Sequence, residues 1–152
     1  MLRHEECISS LDDLAEGCFR RLIGETDDEI VPDAVKRVVF CSGKVYYELR
    51  AARREQGENR VALIRIEQLY PLATGEIEAL LRSYPADAEV VWCQEEPRNM
   101  GAWPMMDEWL GEVIGGKPPV YVGRKPSASP ATGSPRRHRS EQDRLIAEAI
   151  TL

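Results

Sequence analysis

The chain has 152 residues, of which 43% are hydrophobic and 30% charged, with a formal net charge of -6. That is enough apolar chain for one domain with a real core, and the acidic balance argues against the basic surface that nucleic-acid binding needs. No apolar run approaches the roughly 20 residues of a membrane helix, and Met1-Leu2-Arg3-His4-Glu5-Glu6 has no apolar signal core, so neither a membrane partner nor export is expected.

Residues 10 to 22 place Leu11, Leu14, Ala15, Cys18, Phe19 and Leu22 at helical spacing. Ser9 or Ser10 would cap this helix, and Asp12 and Asp13 suit its first turn. The acidic stretch Gly24 to Pro32 reads as a loop. Val35 to Cys41 reads as a strand ended by Ser42-Gly43, and Lys44 to Gln56 as a helix ended by Gly57. Val61 to Ile66 is a second strand, with Pro71 breaking the chain after it and Thr74 capping a helix that carries Ile77, Leu80 and Leu81. Glu89 to Gln94 is a third strand, Ala102 to Val113 an amphipathic helix with Pro104 in its first turn, and Pro119 to Val122 a short fourth strand. Strands alternating with helices at this spacing specify crossover units and a mainly parallel sheet covered on both faces, an α/β fold. Arg124 to Arg139 is rich in serine, proline and glycine with a basic end. Ser140 to Leu152 then reads as a terminal helix capped by Ser140, with Asp143 completing an approximate capping box. Residues 1–32 are accordingly assigned to an N-terminal helix and linker, and 33–152 to the α/β domain.

Familiar catalytic patterns are missing. There is no Gly-rich dinucleotide turn, and Ser42-Gly43-Lys44 lacks the upstream glycine of a phosphate loop. His4 and His138 are the only histidines, and His138 reads as a solvated residue in a basic run rather than as part of a nucleophile system. The four cysteines, Cys7, Cys18, Cys41 and Cys93, form no CxxC pair; Cys41 and Cys93 sit inside apolar strand-like runs, and the expected reading is buried, reduced and structural. No catalytic residue and no metal ligand are expected.

Two features stand out. Gln94-Glu95-Glu96-Pro97-Arg98-Asn99-Met100-Gly101 follows the third strand at the sheet edge where α/β proteins gather their ligands and contacts. Arg65 interrupts an apolar strand, and a charge there needs a partner. Glu67, Glu95 and Glu96 are the candidates, with anion binding as the functional alternative.

Several blocks carry a resemblance. They are Val39 to Leu49, Arg65 to Leu72, Trp92 to Trp103 and Arg124 to Gly133, together with Leu2-Arg3-His4 and Ile8-Ser9-Ser10. In this order they resemble the C-terminal part of the decarboxylating component of 2-oxoglutarate dehydrogenases. The resemblance implies a transketolase-type C-terminal domain: a three-layer sandwich around a mostly parallel five-stranded sheet, working inside a homodimer. It implies an enzyme that decarboxylates 2-oxoglutarate on thiamine diphosphate and Mg2+ and succinylates lipoyl-lysine. Its partners would be the rest of its own chain, a lipoyl succinyltransferase core and a flavoprotein dehydrogenase, in the bacterial cytoplasm or mitochondrial matrix. The family's Gly-Asp-Gly cofactor motif is absent here, so no cofactor is expected in this chain itself, which would act as structural and dimerisation domain. Gln94, Glu95, Glu96, Asn99, Gly101 and Trp103 would form the supporting interface loop. A rival reading makes the domain a regulatory module for a nucleotide or coenzyme A effector, using Ser42, Lys44 and Arg65. Thr74-Gly75-Glu76 replaces the arginines that effector-binding relatives carry after Tyr-Pro-Leu, which weakens that case. A third reading has the basic run Arg136-Arg137-His138-Arg139 dock an acidic partner surface, although such runs are more commonly solvated.

Overall fold

β-branched and aliphatic runs without polar alternation form strands covered on both faces, and this chain supplies them in sequence. The computed structural model describes His4 and residues 6–152. Met1, Leu2, Arg3 and Glu5, which carry part of the N-terminal expectation and of the first resembling block, lie outside the described residues. Five strands, β1 (Leu22–Ile23), β2 (Arg37–Cys41), β3 (Val61–Ile66), β4 (Glu89–Pro97) and β5 (Val120–Arg124), form one sheet in the order β1-β3-β2-β4-β5. β1 pairs antiparallel with β3 at one edge, and every other pairing is parallel. Five α-helices accompany them: α1 (Leu11–Ala15), α2 (Val45–Gln56), α3 (Thr74–Leu81), α4 (Trp103–Val113) and α5 (Pro135–Ile150).

Strand side chains point alternately to the two faces, and the core divides accordingly. Val39, Cys41, Leu63, Val91 and Cys93 pack under α2 and α5, against Leu49, Leu145 and Ile150. Val38, Phe40, Ile64 and Trp92 pack on the other face against Ile77 of α3 and Met106 and Leu110 of α4. The three-layer sandwich and mostly parallel five-stranded sheet that the resemblance implies are both present. Because α2 and α4 lie on opposite faces, the loops leaving the adjacent strands β2 and β4 diverge. This is the topological switch point of the sheet, where a crevice opens at the carboxyl ends.

Three expectations are corrected. The helix expected over 10 to 22 is confined to α1, capped by a reciprocal Ser10–Asp13 box and burying no residue. Nothing covers its apolar stripe, so helical spacing alone does not extend it, and Leu22 joins β1 instead. β1 thereby lies within the stretch 1–32 assigned to the linker. The third strand runs on to Pro97, because a bulge after Cys93 lets Pro97 pair with Arg124 of β5. The terminal helix starts at Pro135 rather than at Ser140. Ser134 caps it by accepting from the Arg137 amide, and proline at the first helical position suits that start.

The loop expected over 24–32 has a further role. Arg53 of α2, 2% exposed, donates to both Glu25 and Asp27, and to the Val61 carbonyl at 2.8 Å. Glu25 also accepts from the Leu63 amide at 2.8 Å, satisfying the edge of β3 beyond the two-residue β1. Burial pushes the Asp27 carboxyl up, but hydrogen bonds from Arg54, Arg50 and Arg53 outweigh it and hold it far below the usual carboxylate range.

Candidate functional site

The segment from Gln94 to Trp103 is organised around one neutral side chain. Gln94 is 4% exposed. Its amide oxygen accepts from the Trp92 indole and the Trp103 backbone, both at 2.9 Å. Its amide nitrogen donates to the carbonyls of Met100 at 2.8 Å, Pro97 at 3.2 Å and Glu96 at 3.3 Å. One glutamine thus closes the turn, satisfies the start of α4 and ties both to the sheet. Gly101 makes this possible: its φ is +67°, and a Cβ there would stand 3.0 Å from both the Gln94 amide nitrogen and the Glu96 Cβ.

The neighbouring strand fastens the outside of the turn. The Tyr121 hydroxyl is shared between the carbonyls of Arg124 (2.9 Å) and Glu96 (3.2 Å), and burial pushes its phenol up to about 12. The Tyr121 and Trp103 rings lie 4.8 Å apart, and the Arg98 guanidinium sits over both. Asn99 uses both ends of its amide on Ser127, donating to its carbonyl and accepting from its amide, each at 3.0 Å. Glu96 is exposed and takes part through its carbonyl. Within the anticipated loop, Gln94, Asn99, Gly101 and Trp103 are therefore brought together.

Glu95 turns instead to the switch point. Lys44, just beyond β2, donates to Glu95 at 2.6 Å and to Glu48 at 2.8 Å, so an ion pair spans the diverging loops. Burial lowers the Lys44 pKa, and the hydrogen bonds to Glu48 and Glu95 outweigh it and raise it. Glu48 continues the chain of contacts, accepting from Gln142 of α5 at 2.8 Å.

Arg65 stands apart from this network. By strand alternation it faces α2, where its guanidinium lies 4.3 Å from the Tyr46 ring centre and 3.3 Å from the Tyr47 hydroxyl. Of the expected carboxylates only Glu67 approaches, at 4.0 Å. Aromatic faces thus take the place that was given to an ion pair with Glu95 or Glu96. Lys44 and Arg65, grouped with Ser42 in the effector reading, have separate surroundings, and the charge of Lys44 is matched by two carboxylates.

The cysteines divide by position. Cys41 and Cys93 are buried; burial pushes the Cys41 thiol up to about 12 and the Cys93 thiol well above its ordinary value. Thiols kept protonated in this way are poor nucleophiles. Cys7 is half-buried and Cys18 exposed, since the helix that was to cover Cys18 does not reach it. Among the described residues no three His, Cys, Asp or Glu side chains group so as to hold a metal ion.

The residues that build the Gln94 turn fall within a longer match. Residues 8–150 match the family described as 2-oxoglutarate dehydrogenase C-terminal. The chain belongs to that family. The 2-oxoglutarate dehydrogenase E1 component of Haemophilus influenzae is 45% identical over 153 residues, covering 100% of this chain and 16% of that protein. The mitochondrial 2-oxoglutarate dehydrogenase of Caenorhabditis elegans is 44% identical over 156 residues, covering 99% of this chain and 15% of its own length. A chain of this 2-oxoglutarate dehydrogenase C-terminal family therefore spans about one sixth of the curated relatives it matches. Among solved structures, a 2-oxoglutarate:ferredoxin oxidoreductase from Magnetococcus marinus, with 2-oxoglutarate, coenzyme A and succinyl-CoA bound, aligns with a TM-score of 0.50 at 10% identity. It covers 89% of this chain and 21% of that one, a likeness of fold.

Proposed function

We propose that this chain is the structural and dimerisation domain of an enzyme that oxidatively decarboxylates 2-oxoglutarate and succinylates lipoyl-lysine in the tricarboxylic acid cycle. The observation that carries this reading is the family match over residues 8–150 by a chain only about one sixth as long as its relatives. The apolar residues left uncovered before the sheet support it: Ile8, Leu11, Leu14 and Phe19 are 68–83% exposed, as expected of a surface that packs on further protein. The stretch before β1 then joins the α/β domain to the preceding part of the enzyme. The Gln94–Trp103 turn gives that part a rigid edge at the carboxyl ends of the strands.

Thiamine diphosphate and Mg2+ would supply the decarboxylation chemistry in the whole enzyme. The described residues offer no cluster of metal ligands, so they do not fit the metal, and no step through it belongs to this chain. Its partners would be a second copy of the enzyme, a lipoyl succinyltransferase core and a flavoprotein dehydrogenase. The compartment would be a bacterial cytoplasm or a mitochondrial matrix.

The test is direct. The 152-residue chain, supplied with thiamine diphosphate, Mg2+, 2-oxoglutarate and an artificial electron acceptor, should show no turnover, and the complete enzyme lacking this domain should lose both dimer and activity. Turnover by the chain alone, or an active dimer without it, would overturn the proposal.

A further inference from the structure

On the sheet face opposite α2 and α5, helices α3 and α4 lie side by side and leave an apolar groove between them. One end is an aromatic pair: Tyr70, on the loop after β3 and 75% exposed, stacks at 5.8 Å on half-buried Trp109 of α4. Val113 stands one helical turn beyond Trp109 on the same flank of α4. It continues the groove into a cavity of about 550 Å3, where Leu81, Tyr84, Val90 and Ile114 also line the wall. Aromatic and aliphatic side chains gathered in one accessible groove are the pattern of a protein contact rather than of a solvated helix surface.

The banks of the groove are acidic. Glu108 and Glu112 stand one turn apart on α4, on the solvent side of Trp109 and Val113. Glu78 of α3 lines the cavity from the opposite bank. All three are exposed, and none has an ion pair among the described residues. Glu76, on the same helix as Glu78, is by contrast paired with Arg21. Arg82 lines the cavity and Lys117 lies beyond Glu112, but neither pairs with a bank carboxylate among the described residues. The charge balance of the groove is therefore negative. The surface that complements it is apolar along one stripe and cationic on either side.

We infer that the α3–α4 groove is a docking site for a basic amphipathic helix of another polypeptide. Its apolar stripe lies along the groove from Tyr70 to Ile114, and its lysine or arginine side chains meet Glu78, Glu108 and Glu112. A channel between two helices accepts a third by packing ridges into grooves, and the faces of Tyr70 and Trp109 add a cation-binding surface at one end. An acidic segment or a nucleic acid meets like charge here. The site uses none of the residues of the Gln94 turn; it goes beyond the proposed function and does not rest on it.

Trp109 supplies the readout, because Trp92 and Trp103, the other tryptophans, are only 1% and 5% exposed. In about 0.15 M salt, where distant surface charges are screened, an amphipathic helical peptide of leucine and lysine should bind the full chain saturably and shield Trp109 from acrylamide. A Kd of about 10 µM is expected, and the leucine–glutamate counterpart should not bind. The Glu108→Lys/Glu112→Lys variant, altered only at exposed positions, should keep its thermal midpoint and lose about tenfold or more in affinity. Glu55→Lys/Asp143→Lys makes the same charge change at exposed positions of α2 and α5 and should leave the affinity as it was. The inference is overturned by absence of saturable binding up to about 1 mM, by equal binding of the acidic peptide, or by an equal loss in both variants. Self-association of the chain that Glu108→Lys/Glu112→Lys abolishes would also overturn it, since the occupant is then a second copy.

Discussion

Two buried polar side chains hold opposite ends of the sheet by opposite means. At the amino end of β3, Arg53 works through charge, bonding two carboxylates and one carbonyl. At the carboxyl end of β4, Gln94 works through neutral hydrogen bonds, two accepted by its oxygen and two amide protons shared among three carbonyls. The first hub tolerates variation in geometry, since ion pairs weaken slowly with distance, but it depends on pH. The second is indifferent to pH and depends on every partner being in place. In the proposed function the neutral hub lies in the turn offered to the rest of the enzyme, where a fixed shape matters more than raw stability.

The comparison is broken most severely at Arg53. Arg53→Leu strands the Glu25 carboxylate beneath α2, while Asp27 keeps Arg50 and Arg54, and should cost about 3–5 kcal/mol in urea unfolding. A loss below about 1 kcal/mol would show that water replaces the guanidinium. The acid side sharpens the point. The folded pKa of Asp27 is depressed, so its contribution is whole above the ordinary carboxylate range and drains as pH falls below about 5 toward the folded value. Asp27→Asn should therefore flatten the acid limb of the stability profile. A limb as steep as that of the parent would remove Asp27 from the account.

Gln94→Leu comes next. It keeps the volume but leaves the Trp92 and Trp103 donors and the Met100 carbonyl unmet, while the Glu96 and Pro97 carbonyls keep the Tyr121 hydroxyl and the Met100 amide, for an expected loss of about 2–3 kcal/mol. No charge is involved, so the loss should be the same at about pH 4.5 and about pH 7. A pH-dependent loss would mean that the hub borrows from the Lys44–Glu95 pair. The smallest effect is expected at Gly101. Gly101→Ala places a Cβ at positive φ and against Gln94, costing about 1–2 kcal/mol by thermal unfolding. A neutral result would show that the turn relaxes, and that Gln94 alone defines it.

Much of this was legible in the chain. The apolar runs of β2 and β3, the amphipathic stripes of α2 and α4, and the glycine that ends α2 are local signals, and they locate the elements. The blocks around Trp92–Trp103 and Arg124–Gly133 carried the family resemblance that the match over residues 8–150 bears out. What was illegible is non-local. The apolar stripe of residues 10–22 looks helical, yet a stripe with nothing to bury against does not propagate a helix. Ser134-Pro135 is a sound helix start, hidden within a segment whose composition suggests a loop.

The sequence by itself determined the α/β class, the family and the absence of familiar catalytic motifs, because period, propensity and residue identity are properties of neighbours along the chain. Only the tertiary structure decided that Arg65 lies over Tyr46, that Lys44 bridges to Glu95, that Gln94 governs its turn and that Arg124 packs against His138, Glu141 and Gln142 of α5. Pairings such as Arg65 with Tyr46 and Lys44 with Glu95 join elements that are neighbours in the fold and distant in the chain, and partner choice among several chemically equal carboxylates, carbonyls and rings is settled by register and layer rather than by sequence.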